Sequence, residues 1–229
     1  MLKELRQHVW QANLDLNKEG LVVLTFGNVS GIDRSKGVFV IKPSGVPYSR
    51  LKPSDMVAVD LDGKVLDKQL KPSSDMPTHL ELYRSFNKIT GVAHTHSTYA
   101  TSFAQARMPI PCFGTTHADL FHGPVPLTRM MTAAEIKGAY ETNTGKLIVE
   151  RFSKLDPLEF PGVLVAGHGP FTWGRSAGEA VTNSVALEHA ARMALFTLLL
   201  RSGASAIPQA LLNKHFLRKH GPAAYYGQK

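Results

Sequence analysis

Three histidines have the types and spacing of a metal site. His94 and His96 stand two apart in Gly91-Val-Ala-His-Thr-His, where strand alternation would point both imidazoles to one face. The pair alone is also typical of hydrogen-bonded strand histidines. His168, flanked by glycines after a second predicted strand, adds a third imidazole in a loop position that commonly carries function. Three imidazoles leave an open coordination position on Zn²⁺ or another divalent ion, so we predict a catalytic metal site.

A carboxylate lies near this set in the sequence. Asp75, in Ser73-Ser74-Asp75, is the best candidate for an additional metal contact. Its spacing equally favours a second interpretation, a negative charge before a helix that begins near Thr78.

Short turns at predicted strand ends have the composition of an anion site. Backbone N–H groups and hydroxyls in such turns can converge on a phosphate. Each turn alone is typical of ordinary chain reversal, but Lys-Pro-Ser occurs twice, which favours the anion interpretation. No P-loop or G-x-G-x-x-G pattern is present, so a nucleotide is not indicated. The turns are Gly27-Asn28, Lys42-Pro-Ser44-Gly45 and Lys71-Pro-Ser73-Ser74.

Two further segments carry titratable groups. His117 and Asp119 stand in a loop rich in glycine and proline, where an acid or base would reach a substrate. An Asx-type turn at Asp119 explains that segment equally well. The C-terminus from Asn213 onward mixes basic and aromatic residues, unlike a frayed end, although a disordered tail is an alternative.

Composition excludes several classes of protein. The chain has 229 residues, 43% of them hydrophobic, which is enough for a substantial core. Its longest apolar stretch, 193–200, is far below the roughly 20 residues of a membrane span, and the N-terminus lacks an apolar signal segment, so we expect a cytoplasmic protein. The single cysteine, Cys112, excludes a multi-thiolate metal site. The net charge of +8 comes without a nucleic-acid motif, which favours an anionic small substrate.

Periodicity and turn residues predict the elements that must position these groups. We predict helices over 2–17, 78–86, 99–106 and 176–201, and another opened by a Thr132/Glu135 capping box. We predict strands over 22–25, 38–41, 56–61, 91–96, 146–150 and 163–166. Strict βαβ alternation is missing, which favours an α/β layered fold with a largely antiparallel sheet. No linker divides the chain, so we predict a single domain over 1–229, ending in a short helix and a tail over 206–229.

Together these segments resemble a known family, the L-ribulose-5-phosphate 4-epimerases of the class II aldolase and adducin superfamily. The resemblance runs end to end. It implies a three-layer α/β/α subunit with a central, largely antiparallel sheet, in a homotetramer whose active sites lie between neighbouring subunits. The segments that carry it are Gly27-Asn-Val-Ser30, Ile41-Lys-Pro-Ser-Gly-Val46, Pro72-Ser-Ser-Asp75, His94-Thr-His-Ser97, Gly114-Thr-Thr-His-Ala-Asp119, His168-Gly-Pro-Phe171 and the end from Arg218 through Tyr225-Tyr-Gly-Gln228.

The resemblance also implies roles for single residues. It places zinc on His94, His96 and His168, with Asp75 as the adjacent carboxylate. The acid/base pair is Asp119 and Tyr226, with the tyrosine coming from the neighbouring chain. The phosphate pocket corresponds to Gly27, Asn28, Ser44, Gly45, Ser73 and Ser74, and secondary positions near the site correspond to Lys42, Thr116, Glu141, His215 and Arg218.

The activity that the resemblance implies is metal-dependent epimerisation at C4 of L-ribulose 5-phosphate, giving D-xylulose 5-phosphate. The route is retro-aldol cleavage followed by aldol recombination. An aldolase acting on a phosphorylated ketose is the nearest alternative, although aldolase members place Glu where this chain has Asp75. A non-catalytic adducin-like module is a second alternative, which the retained histidines, Asp119 and Tyr226 disfavour. The sequence does not distinguish the arabinose, ascorbate and related pentose pathways.

Overall fold

The architecture is a three-layer sandwich. A computed structural model describes residues 2–67 and 69–226. The end of the terminal motif, Gly227-Gln228, lies outside the described residues. The helices are α1 (Leu2–Lys18), α2 (Met76–Ser85), α3 (Thr98–Ala106), α4 (Thr115–Ala118), α5 (Ala133–Lys137), α6 (Tyr140–Arg151), α7 (Ala177–Leu200) and α8 (Gln209–His220). The strands are β1 (Asn28–Asp33), β2 (Val38–Ile41), β3 (Val57–Asp60), β4 (Gly91–His94), β5 (Gly162–Val165) and β6 (Gly169–Gly174).

The six strands of the described chain form one sheet in the order β3-β2-β1-β4-β6-β5, and every named pair is antiparallel. Side chains alternate between its two faces. Val92 enters the core shared with α2 and α6, whereas the next residue, Ala93, enters the core shared with α1 and α7. The α/β/α layering and the largely antiparallel sheet are therefore confirmed.

Local signals at helix ends are also confirmed. Thr132 accepts a hydrogen bond from the Glu135 backbone, and the Glu135 carboxylate accepts one from the Thr132 backbone, which completes the capping box of α5. The Ser176 hydroxyl accepts from the Glu179 backbone and begins α7. These bonds join residues three apart, so the sequence alone can specify them.

Two predicted strands are wrong. Residues 22–25 form a turn in which Leu24 has a φ of +56° and Phe26 donates its N–H to the Val23 carbonyl. Residues 146–150 belong to α6, whose buried Thr144, Leu147 and Ile148 follow helical spacing. The β-branched residues in that segment obscured the helical period.

Two strands were not predicted. β1 reads Asn-Val-Ser-Gly-Ile-Asp and β6 reads Gly-Pro-Phe-Thr-Trp-Gly, so neither shows an apolar run or a clear alternation. Both are almost wholly buried on both faces. Their polar side chains form hydrogen bonds with partners distant in sequence, such as Ser30 with His79 and Tyr83.

In the described residues, no helix has the length and apolarity that a membrane span requires.

Gly91 sets the distance between β4 and the start of α7. A Cβ at this position would overlap the backbone of Ser176. We predict that Gly91→Ala lowers the free energy of unfolding by about 1–3 kcal/mol, the usual cost of overpacking. Chemical denaturation will measure this, with Gly203→Ala as the control because a Cβ there meets nothing within 4 Å. Equal stabilities for the two variants would contradict the prediction.

Candidate active site

The three predicted histidines meet at one edge of the sheet. His94 is the last residue of β4, His96 lies in the connection to α3, and His168 lies in the turn between β5 and β6. Each offers one ring nitrogen, and these atoms all lie within 4.8 Å of one another. The predicted strand 91–96 therefore ends two residues early, and His96 is placed by a loop and not by strand alternation.

Two of the imidazoles are oriented by neighbours outside the cluster. The His94 Nδ1 lies 2.9 Å from the Pro170 carbonyl oxygen, so this nitrogen carries the proton and Nε2 presents its lone pair. The same ring stacks on Phe171 at a centroid distance of 4.1 Å. The Tyr140 hydroxyl lies 3.4 Å from His168 Nδ1.

The protonation states suit a cation ligand set. Burial, followed by the nearby His94 and His96, lowers the pKa of His168 to about 3. The pKa of His96 is also lowered, first because the surrounding protein partly desolvates the ring and then because His94 lies beside it. At neutral pH both rings are uncharged, with free lone pairs, and His94 Nε2 approaches His96 Nε2 to 3.1 Å. The donor set therefore fits a divalent metal ion, which requires deprotonated ligands.

Asp75 faces this site from the N-cap position of α2, where its negative charge also precedes the helix. It precedes α2, but its side chain makes no capping hydrogen bond. Its Oδ2 instead accepts a 2.6 Å bond from Asn28 Nδ2. Burial opposes ionisation, but the imidazoles of His94 and His79 and the Asn28 bond outweigh it and leave the pKa of Asp75 lowered. Asp75 lines the histidine pocket without belonging to the cluster of ligand atoms.

The predicted phosphate residues line the same pocket, a cavity of about 390 Å³. Its lining joins the three histidines and Asp75 to the other predicted groups. Those groups are Gly27, Asn28, Ser44, Gly45, Ser73, Ser74, Lys42 and Glu141.

The two Lys-Pro-Ser segments pair with each other. Ser44 donates its N–H to the Lys71 carbonyl at 3.0 Å, and Ser73 donates to the Lys42 carbonyl at 2.9 Å. This isolated antiparallel bridge brings the small hydroxyls of both turns to one wall. The two Lys-Pro-Ser segments are therefore partners in one backbone pairing, which their spacing in the sequence did not reveal.

Lys42 is the positively charged residue of the pocket wall that the two Lys-Pro-Ser turns form. Its side chain is buried, with Nζ 4.8 Å from the centre of the Tyr48 ring. Burial lowers the pKa of Lys42 to about 8, so most of the population is charged at neutral pH. A buried ammonium in a pocket with glycines and hydroxyls favours a bound anion.

Asp119 forms a second cluster with the C-terminal helix. Its carboxylate contacts His215 Nδ1 at 3.0 Å and Arg218 Nη2 at 2.8 Å. Burial alone would raise the pKa of Asp119, but these two hydrogen bonds reverse that and lower it. The Tyr226 N–H donates to the Arg218 carbonyl, and its ring centre lies 4.6 Å from the Arg218 guanidinium carbon. Asp119 and Tyr226 of one chain are therefore joined through Arg218.

The predicted residues thus fall into two groups. None of the Asp119 cluster, nor Thr116 on the exposed side of α4, lines the histidine pocket in the described chain. His117 turns inward, where its Nε2 lies 2.8 Å from the Gly123 carbonyl oxygen and burial lowers its pKa to about 4. His117 therefore has a structural role in the core, and it does not join Asp119 as a titratable pair.

Sequence reasoning missed three residues of the pocket: Thr25, Phe26 and Tyr140. Thr25 and Phe26 lie in or next to the segment wrongly predicted as a strand. Tyr140 reaches His168 from the first position of α6, a helix that was not predicted. No local signal marks an isolated tyrosine as a neighbour of a histidine 28 residues later.

Comparison with known proteins agrees with this geometry. The chain is 53% identical to the L-ribulose-5-phosphate 4-epimerase UlaF of Salmonella paratyphi A over 228 residues, covering 100% of both chains. Its fold is similar to a solved L-fuculose 1-phosphate aldolase, with a TM-score of 0.79, 25% identity and coverage of 93% and 94% of the two chains. An L-fuculose-1-phosphate aldolase from Thermus thermophilus shares the fold, with a TM-score of 0.69, 24% identity and coverage of 89% and 100%.

Residues 7–195 match the Class II Aldolase and Adducin N-terminal domain. That range contains the six described strands, the three clustered histidines and the turns that we predict to bind an anion. The family match and the full-length relatives therefore agree, and the chain belongs to the class II aldolase and adducin family.

Proposed function

We propose that this chain interconverts L-ribulose 5-phosphate and D-xylulose 5-phosphate by epimerisation at C4. The observation that carries the proposal is a single pocket in which three imidazoles lie close to Lys42 and the hydroxyls of the two Lys-Pro-Ser turns. The full-length identity of 53% to the Salmonella epimerase supports the same reaction. A phosphorylated ketose has the two features that such a pocket recognises, vicinal oxygens for a metal and a terminal phosphate.

The chemistry explains why a metal and an anion site are needed together. The hydrogen on C4 is not adjacent to the C2 carbonyl, so direct deprotonation cannot invert that centre. Cleavage and re-formation of the C3–C4 bond can. We propose that His94, His96 and His168 hold Zn²⁺, which as a Lewis acid would stabilise the negative charge that develops on the three-carbon fragment. Asp75, kept ionised beside them, is the adjacent carboxylate.

The chain's own residues perform the remaining tasks. The wall of Ser44, Ser73 and Lys42 retains the phosphate of the two-carbon aldehyde while the aldehyde turns to expose its other face. Proton transfer at the C4 oxygen is then required on both faces. We assign these transfers to Asp119 and Tyr226.

The acid/base groups lie outside the pocket of their own chain, which supports an assembly with shared sites. We propose a homotetramer in which the single domain of one chain provides the metal and phosphate pocket and the C-terminal region of its neighbour closes it. The family resemblance implies that Asp119 and Tyr226 of one site come from neighbouring chains. The Arg218 link within one chain favours their delivery as one unit.

Aldolase activity is the second candidate, favoured by the fold similarity to L-fuculose 1-phosphate aldolase. The two reactions differ in their products. Incubating the zinc-loaded protein with L-ribulose 5-phosphate should give D-xylulose 5-phosphate. Accumulation of glycolaldehyde phosphate without the epimer would identify an aldolase instead.

Metal binding is tested by removing one ligand. We predict that His96→Asn lowers bound zinc to well below one ion per subunit, because two imidazoles remain from a set of three. Elemental analysis of the purified protein measures the content. His8→Asn, an exposed histidine on α1, is the matched control and should keep the metal. Full zinc content in His96→Asn would show that the site is elsewhere.

Proton transfer is tested at Asp119. Asp119→Asn should slow epimerisation by roughly 10² or more, the typical effect of losing a positioned acid/base group. Zinc content should not change, because Asp119 does not line the histidine pocket. Asp62→Asn, at a surface turn, controls for the change of charge. A wild-type rate in Asp119→Asn would remove this residue from the mechanism.

Site sharing is tested by coexpressing two inactive chains, one with Asp119→Asn and one with His96→Asn. If neighbours share sites, random one-to-one assembly leaves about a quarter of sites with both native groups, and activity recovers to about that fraction. Mixed assemblies without recovery would place both groups in one subunit's site.

A second coexpression experiment combines Asp119→Asn chains with Tyr226→Phe chains. Recovery to about a quarter is expected only if the two residues of one site come from different neighbours. The contacts of Arg218 with both residues predict no recovery. If one chain supplies both Asp119 and Tyr226 to a site, every site in the mixture carries one of the two substitutions.

A further inference from the structure

His96 is the most exposed of the three clustered imidazoles, and it has the least local support. It lies beyond the end of β4 and is exposed, whereas His94 is buried in the sheet and His168 is partly buried. Within the described chain, the only hydrogen-bond contact of its ring is to His94 Nε2, an atom of the cluster itself. Outside the cluster its ring lies beside Phe26 at a centroid distance of 6.2 Å, with no hydrogen bond, so the position of His96 depends mainly on its backbone, which runs directly into α3.

The start of α3 lacks its own side-chain cap. Ser97 occupies the N-cap position, but its hydroxyl accepts no bond from the helix and lies 3.3 Å from Thr95 Oγ1. The first N–H groups of a helix have no partner inside the helix, so they need an acceptor from elsewhere.

Glu188 of α7 supplies that acceptor. Its Oε1 accepts from the Tyr99 N–H at 2.8 Å and its Oε2 from the Ala100 N–H at 2.9 Å. A carboxylate at a helix N-terminus also interacts favourably with the helix dipole. Both bonds connect residues nearly ninety positions apart, so they fix α3 against a separate element.

The element that carries Glu188 is well anchored. α7 has 24 residues, and two residues close to Glu188 in the helix, Leu187 and Ala191, are buried in the core that also contains Ala100 and Phe103 of α3. The carboxylate therefore ties the first turn of α3 to a fixed part of the core. Tyr99, whose N–H is the first that Glu188 caps, follows His96 by only three residues.

We infer that Glu188 is a positioning residue of the metal site, which holds His96 in place through the N-terminus of α3. The inference rests on the metal site of the proposed function, but not on the identity of the sugar. Without this carboxylate, the first turn of α3 would relax, and His96 would spend less time where it can join His94 and His168.

The test is the affinity for zinc, measured by chelator competition without substrate. Glu188→Gln keeps the shape but turns an amide N–H₂ toward one backbone N–H, which removes one bond and the negative charge. We expect the dissociation constant for zinc to rise about 10–100-fold, the usual effect of losing support for a ligand. Circular dichroism of the metal-free protein at the same temperature establishes that the variant is folded.

Glu179→Gln is the matched control. Glu179 also lies on α7 and also accepts a bond from a backbone N–H, that of Arg175 at 2.7 Å. It packs against Gly174, at the end of β6 opposite the histidines. This variant should lower the melting temperature modestly and leave zinc affinity unchanged.

A melting temperature lowered in Glu188→Gln with zinc affinity unchanged would reduce Glu188 to a cap and overturn the inference. If Glu188→Gln does not fold, Glu188→Asp takes its place, since it keeps the charge but reaches less far, and a smaller loss of affinity in the same direction is expected. Unaltered protein that binds no zinc would overturn the proposed function and this inference together. Zinc binding without epimerisation would count against the function alone.

Discussion

The antiparallel register at the centre of the sheet is the constraint on which the site depends. Asn28 of β1 pairs with His94 of β4, and His94 pairs with Phe171 of β6, so these residues form one row across three strands. A shift of one residue would turn His94 from one face of the sheet to the other. The row sets the Nε2 of His94 toward His96, places Asn28 beside Asp75, and gives the imidazole an aromatic ring to stack on. The pocket is thus built on the most buried part of the fold.

Support for this row extends into the core behind it. Ser30, the next residue of β1 on the same face as Asn28, lies 2.7 Å from both His79 Nδ1 and the Tyr83 hydroxyl. Burial lowers the pKa of His79 to about 3, so the ring is neutral. These buried polar bonds tie α2 to the central sheet at the helix whose start carries Asp75. Asp75 and His94 are therefore held by one connected structure, and not by independent loops.

The separation of the two clusters has a chemical consequence. The histidine pocket needs uncharged donors, and burial provides them by lowering imidazole pKa values. As the proposed proton acceptor, Asp119 must be ionised, and the partly exposed Arg218 and His215 favour that form. Asp75 shows that an ionised carboxylate is also compatible with the histidine pocket, where the bond from Asn28 favours the charged form. The two clusters therefore favour the protonation states of the proposed mechanism by different means, burial of the imidazoles in one and hydrogen bonds to the carboxylate in the other.

The distance along the sequence between interacting residues separates what the sequence determined from what the tertiary structure decided. The sequence alone identified the three histidines that cluster, the turns that line their pocket, the layered antiparallel fold and the helix caps. Residue type fixes metal-ligand and anion chemistry, and a capping bond spans only three residues. The sequence did not reveal β1 and β6, whose polar or glycine-rich segments become strands because neighbours bury them.

It did not reveal α6 either, and Tyr140 was lost with it. The pairing of the two Lys-Pro-Ser turns, the Asp75–Asn28 bond and the Asp119–Arg218 bond all join residues about 30 to 100 positions apart. Such contacts carry no local signal, because each side chain is ordinary in its own segment and gains its role only from the partner that the fold brings to it. The tertiary structure alone decided how the chemically competent residues divide between two clusters.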